Sequence, residues 1–318
     1  MVRAPVPPSG VWTPAVTFIN PDTDELDLAA QEKYYAYLSK TGLAGLIVLG
    51  TNAEAFLLTR EERRALVQTA RKAVGPDYHV MAGVGAHSTK QVLQYIADAA
   101  EAGANSVLVL PPAYFGKATT PEVVERFFAD VSAASSLPIV IYNFPGVCNG
   151  LDLDSDTIER LAGKYDNIVG VKLTCGSVAK ITRLAAALPR DRFATFGGQS
   201  DFIIGGLASG SSGCICAFGN VAPKTVVRIY DLWQQGSVKE AMELHQKAAL
   251  AEQAIKGGIA PTKYAASLTT AKAAGVEGAE NLLQPRRPYV APSAAVKEMV
   301  QNKLKDVIPI EEGLPLKA

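Results

Sequence analysis

Eight short apolar runs recur along this chain, and each is followed by a stretch with helical signals. The runs are GVWTPAVTFI, GLIVLG, HVMAGVG, SVLVLP, PIVIYNFP, IVGVKL, FATFGG and GCICAF. Strands joined by helices must run parallel, because a tight turn cannot reverse the chain into a parallel neighbour. Crossovers of this kind are right-handed. Eight strand–helix units over about 225 residues match a closed (β/α)8 TIM barrel. The competing arrangement, an open doubly wound sheet, usually carries a glycine-rich phosphate loop after its first strand. Here that segment reads TFINPDTDE and has no glycine.

The helix boundaries are marked as well. TREERRALVQTARKAVG opens on Thr59, has Glu62 three residues on as a capping box, and stops at Gly75. Ser88 and Gly103 bracket the next helix, and Pro121 sits in the first turn of the one after. Beyond Gly236 the pattern changes. SVKEAMELHQKAALAEQAIKGG, APTKYAASLTTAKAAG and SAAVKEMVQNKLKDV read as helices without strands. The expected division is a barrel carrying the active site over residues 1–236 and a C-terminal helical appendage over 237–318. The apolar stripes of the appendage must pack on the barrel or on another subunit.

Charge and composition exclude several functions. Thirty-one basic residues balance thirty-one acidic ones, which favours neither nucleic acid nor an anionic membrane as partner. The arginine pair in QPRRPYVAP reads as a solvated, proline-rich loop. No apolar run approaches the ~18 residues of a membrane helix, and the first residues lack both a signal core and the pattern of a transit peptide. The expectation is a cytoplasmic protein with free thiols at Cys148, Cys175, Cys214 and Cys216. With three histidines and no H-x-H, H-E-x-x-H or C-x-x-C spacing, neither a metal nor another cofactor is expected.

Active sites of such barrels lie at the C-terminal ends of the strands. Those ends read GTNAE, PPAYF, YNFPG, KLTCG and GGQSD for strands two, four, five, six and seven. In strand six, alternation puts Gly170, Lys172 and Thr174 on one face and Val169, Val171 and Leu173 on the other. Lys172 then points into the barrel. Burial disfavours a cationic amine, and a neutral amine attacks carbonyls to form a Schiff base. The spacing serves a lysine in a buried ion pair equally well. Tyr142, one strand away, suits a proton relay and also an amphipathic core tyrosine. Thr51, Asn52 and the N–H groups of their turn can bind a carboxylate, braced by Glu54, or serve as ordinary turn chemistry.

GTNAE, YNFPG and GVKLTCG, each at the end of its strand, resemble the dihydrodipicolinate synthase / N-acetylneuraminate lyase family, and the likeness runs from about Gly10 through the appendage. The resemblance implies a class I pyruvate-dependent aldolase. In it Lys172 forms the Schiff base with pyruvate, Tyr142 and Thr51 relay protons, and Thr51 and Asn52 hold the pyruvate carboxylate. Tyr114 reaches into the neighbouring subunit's site, within a homotetramer built as a dimer of dimers. Gly198, Ser200 and Asp201 lie where sialic acid lyases hold polyol hydroxyls. Two departures stand out. Ala53 replaces the usual glycine, so that turn must avoid a strongly positive φ or accept strain. Val147 stands where dihydrodipicolinate synthases carry the arginine that grips the aldehyde's carboxylate, and valine cannot form that pair. The chain also looks like fungal 2-keto-3-deoxy-L-galactonate aldolases, and TNAE is close to the S-N-G-E of 4-hydroxy-2-oxoglutarate aldolases. The implied reaction is cleavage of a 4-hydroxy-2-oxo acid, foremost a 2-keto-3-deoxy sugar acid, to pyruvate and an aldehyde. 4-Hydroxy-2-oxoglutarate cleavage and dihydrodipicolinate synthesis are the alternatives on the same scaffold, and a non-catalytic metabolite-binding protein is the alternative outside it.

Overall fold

The computed structural model describes residues 4–317. Eight strands close into a parallel barrel in sequence order: β1 (Gly10–Pro14), β2 (Gly45–Val48), β3 (Val80–Gly83), β4 (Ser106–Val109), β5 (Ile139–Asn143), β6 (Ile168–Leu173), β7 (Ala194–Gly197) and β8 (Gly213–Ile215). Helices α1 (Leu28–Leu38), α2 (Arg60–Val74), α3 (Thr89–Glu101), α4 (Pro121–Ala134), α5 (Ser155–Lys164), α6 (Val178–Ala187), α7 (Ile203–Ala208) and α8 (Pro223–Gln234) follow the strands in turn. The capping box of α2 forms as the sequence requires, with Thr59 and Glu62 exchanging side-chain and backbone hydrogen bonds.

Two apolar layers hold the barrel. The inner one is filled by side chains such as Trp12, Ile47, Met81, Val140, Val169, Phe196 and Ile215. The outer one joins the strands to the helices. Val169 corrects the expected alternation. Between Ile139 and Val140 the β5–β6 register shifts by one residue, so Val169 turns inward and packs beneath the mouth. Val171 and Leu173 remain on the outer face. Lys172 keeps its inward direction, level with Tyr142 across the ladder.

The first apolar run is longer than its strand. β1 ends at Pro14, and Ala15 to Ile19 continue as buried loop. Side chains replace the ladder there: Asn220 Oδ1 accepts from Val16 N–H at 3.1 Å, and Gln31 bridges Val16 and Phe18. Asn220 Nδ2 also donates to Pro14 O at 2.9 Å. One buried amide thus ties the end of β8 to the end of β1, where the barrel closes.

After α8 the chain continues as α9 (Val238–Glu252), α10 (Ile259–Leu268), α11 (Thr270–Ala273), α12 (Ala279–Leu282), α13 (Ala294–Leu304) and α14 (Ile308–Gly313). Helix α9 packs on α8 and α7, and α10 reaches the turn that follows β8. The arginine pair is not uniformly solvated as expected. Arg286 is mostly buried, pairs with Glu62 at 2.7 Å and with Asp24 at 3.3 Å, and donates its N–H to Glu54. Charge partners from three segments pull that loop onto the barrel. All four cysteines are free thiols.

Candidate active site

The C-terminal mouth of the barrel holds a cavity of about 170 Å³. Thr51, Asn52, Tyr142, Phe144, Lys172, Thr174, Gly198 and Gln199 line it from the strand ends, and Glu252, Ile255, Lys256 and Thr262 line it from the helices beyond β8.

Lys172 sits at its floor, 2% exposed. Its Nζ donates to the Tyr142 hydroxyl at 3.2 Å and lies 4.2 Å from the centre of that ring. Among the described residues no carboxylate oxygen approaches Nζ within 4.0 Å, so the buried-ion-pair alternative for this lysine is not the arrangement found. The Tyr142 hydroxyl stands in turn 3.4 Å from Thr51 Oγ1. Amine, phenol and hydroxyl form one file from three strand ends. A proton can pass along such a file, and a carbonyl carbon placed at its base meets the amine first.

The Thr51 turn is built from unusual backbone. Leu49 and Glu54, on either side of it, both have positive φ (69° and 55°), whereas Ala53 avoids it within a short 3₁₀ turn over Thr51–Ala53. Within this turn Glu54, not Ala53, adopts the left-handed region. Gly83 on β3 makes room, since a Cβ there would fall 2.0 Å from Leu49 O. Glu54 does brace the turn. Its carboxylate is buried, takes Lys263 Nζ at 2.6 Å, and accepts the Arg286 N–H at 2.7 Å. Burial pulls Lys263 below its ordinary value, against the opposing pull of Glu54. Thr51 and Asn52 occupy the first positions of the 3₁₀ turn, where backbone N–H groups have no partner within the helix.

The asparagine of YNFPG has a structural task. Asn143 is fully buried, donates to Asp152 at 2.7 Å and accepts from Leu153 N–H at 2.9 Å, so it closes the loop after β5. Val147, 44% exposed, lies outside the cavity lining.

The other expected residues divide. Gly198 lines the cavity, and a Cβ there would fall 2.5 Å from Thr174 Cα. Only glycine permits that approach of the β6 and β7 loops. Ser200 and Asp201 do not line the cavity. Ser200 Oγ is turned back onto Glu252, and Asp201 pairs with Lys256 at 2.7 Å. The groups presented in their place are Gln199, Glu252 and Lys256. Nothing in the sequence marked Glu252 and Lys256, because an amphipathic helix gives no hint of the surface it folds against. Burial raises the Glu252 carboxyl above the usual range, opposed by Lys256 and Ser200. His245, on the same helix, bonds Ser200 O at 3.0 Å, and burial lowers its imidazole. Tyr114 is absent from this cavity. It is 71% exposed and stacks with Phe115 and His87 on the loop after β4.

Fold and site together define a (β/α)8 barrel protein with a buried lysine paired to a tyrosine at the mouth. The chain belongs to the dihydrodipicolinate synthetase family, whose family model matches residues 7–307. A Coccidioides immitis protein named "Putative 4-hydroxy-2-oxoglutarate aldolase, mitochondrial" is 66% identical over 309 residues, covering 97% of this chain and 98% of that one. The L-threo-3-deoxy-hexylosonate aldolase of Aspergillus niger is 35% identical over 333 residues, covering 96% and 97%. Among solved structures, a dihydrodipicolinate synthase family protein from Coccidioides immitis matches with a TM-score of 0.93 at 62% identity, over 99% of this chain and all of that one. The mitochondrial label on the Coccidioides aldolase runs against the cytoplasmic expectation. Among the described residues no helix is long and apolar enough to cross a membrane.

Proposed function

We propose that this protein is a Schiff-base-forming aldolase that cleaves a 4-hydroxy-2-oxo acid to pyruvate and an aldehyde, with 2-keto-3-deoxy sugar acids as its substrate class. One observation carries the reading: Lys172, buried at the floor of the cavity, has a phenol rather than a carboxylate as its partner. Two aldolase relatives, named for 4-hydroxy-2-oxoglutarate and L-threo-3-deoxy-hexylosonate, support the same chemistry.

The Lys172 amine adds to the C2 ketone and water leaves, giving an iminium. Tyr142, through Thr51, takes the proton from the C4 hydroxyl. The C3–C4 bond breaks, its electron pair flows to the iminium nitrogen, and the aldehyde departs. The resulting enamine is protonated at C3, and water then releases pyruvate and restores the amine. Thr51 and Asn52 hold the substrate's carboxylate throughout. Pyruvate release from a panel of 2-keto-3-deoxy sugar acids, 4-hydroxy-2-oxoglutarate and sialic acid tests the reading. A sugar acid leading in kcat/KM supports it, and no pyruvate from any of them refutes it.

Tyr142→Phe should lower kcat by about 10²- to 10⁴-fold, the usual worth of general acid–base assistance. Borohydride capture of pyruvate should persist in that variant. Unchanged turnover would remove Tyr142 from the relay.

The same reading includes a homotetramer of paired dimers. Phe56, Tyr114 and Phe115 are all exposed on the rim of the mouth, which suits burial against a second copy of this chain with Tyr114 completing the partner's relay. Light scattering should report four chains, and Tyr114→Ala should lower both assembly and kcat. A fully active monomer would contradict it.

A further inference from the structure

Arg63 is a buried cation that no step above uses. It stands in the first turn of α2 and is 4% exposed. The cations beside it on that helix, Arg60 and Arg64, take Asp98 and Glu101. Arg63 takes no carboxylate: among the described residues none has an oxygen within 4.0 Å of its guanidinium. Its Nε is buried without a partner, and the guanidinium lies 3.9 Å from the centre of the Tyr95 ring. Burial pulls its pKa down to about 10, against the opposing pull of Tyr95 and Asp98. What the side chain does hold is backbone. Nη2 donates to Gly83 O at 3.0 Å and Nη1 to Ala55 O at 3.2 Å.

Those two carbonyls flank the turn that carries Thr51 and Asn52. Strand β2 pairs with β3 only as far as Val48 opposite Ala82. Leu49 then enters positive φ and the chain leaves the ladder, so Gly83 O lies one residue past the last paired position. Ala55 follows directly on Glu54, at the start of the second 3₁₀ turn. Other ties hold the middle of the segment: Thr17 Oγ1 donates to Ala53 O at 2.9 Å, and Glu54 takes Lys263. Arg63 adds the tie to β3. A guanidinium spans two carbonyls with one rigid fork, which neither an ammonium nor an apolar side chain does. A buried cation without a counter-charge is a poor source of stability, so its presence here points to placement of the backbone.

We infer that Arg63 is a positioning residue for the aldol reaction: by clamping the Gly83 and Ala55 carbonyls it sets the height of the Thr51–Asn52 turn and hence the reach of Thr51 to Tyr142. The inference rests on the aldolase reading and on the place of Thr51 in its relay. Thr51 Oγ1 and the Tyr142 hydroxyl are 3.4 Å apart, at the outer edge of a hydrogen bond, so a small shift of the turn breaks the file.

Arg63→Met should lower kcat about 30-fold on 2-keto-3-deoxy-L-galactonate, or on whichever acid of the panel above the parent cleaves best, within the range that misplacement by about 1 Å produces. Its Tm should stay within about 5 °C of the parent, since loss of the two bonds is offset by removal of a buried charge. Borohydride capture of saturating pyruvate should persist, because Lys172 stands on β6. Arg63→Lys, which keeps the charge and reaches one carbonyl, should fall between the two. The decisive readout is a double-mutant cycle with Thr51→Val. Once the Thr51 hydroxyl is gone, Arg63→Met should cost less than about threefold in kcat. An equal loss in both backgrounds would make the role merely structural and overturn the inference, as would full turnover in Arg63→Met. If Arg63→Met does not fold, the cycle is run with Arg63→Lys under the same criterion, and failure of both variants to fold overturns the inference too. A parent that captures no pyruvate sinks the aldolase reading itself, whereas a parent that captures and cleaves but gives an additive cycle sinks this inference alone.

Discussion

Lys172→Met should reduce aldol cleavage to background, a loss of at least about 10⁴-fold, while the protein melts at the parental temperature or slightly above. The two readouts move separately for a physical reason. Lys172 is 2% exposed, and among the described residues no carboxylate pairs with it in return for its burial. An ammonium in that position contributes little to stability, and a methionine of similar length fills the same space without a charge to desolvate. A lysine kept for a buried ion pair behaves in the opposite way, since removing one partner costs about 3–5 kcal/mol. Steady-state kinetics beside a thermal melt therefore distinguishes the two roles. Activity within about tenfold of the parent would show that the covalent step lies elsewhere.

Glu54→Ala should be the most destabilising single change near the site, by about 3–5 kcal/mol, because it strands the Lys263 ammonium in the core. Both side chains of that pair are fully buried. Glu54 also takes the Arg286 N–H and is itself the left-handed residue that ends the Thr51 turn. The loss corresponds to a fall of roughly 10 °C in Tm for a chain of this size. KM should rise along with it, as Thr51 and Asn52 lose their brace. The double variant Glu54→Gln with Lys263→Met should regain much of the stability, because it leaves no unpaired charge. Calorimetry of the two variants beside the parent checks this, and a Glu54→Ala protein that melts like the parent would contradict the account of the turn.

The barrel was legible because parallel strands buried on both faces leave continuous apolar runs, and their helices carry capping signals such as Thr59 and Glu62. The floor of the site was legible for a related reason. A lysine in IVGVKL breaks an apolar run, and the period of two aims it inward. What escaped were features with no local signature. The one-residue shift opposite Ile139 inverts Val169, yet it depends on pairing between strands rather than on either strand alone. Glu252 and Lys256 lie more than fifty residues beyond GGQSD in sequence, and only the return of α9 over the mouth joins them. Ser200 and Asp201 occupy the expected loop, but their side chains are captured by Glu252 and Lys256 instead of facing the cavity. The Arg286 loop reads as solvated by its prolines, and three acidic partners from distant segments draw it in.

The central claim is that the Lys172 amine binds pyruvate covalently. Borohydride reduction of the protein with pyruvate, followed by peptide mass mapping, measures that directly. The account predicts one reduced pyruvyl group, located on the peptide containing Lys172 and lost in Lys172→Met. An unmodified Lys172 in folded, pyruvate-saturated protein, or a label on a different lysine, would contradict it.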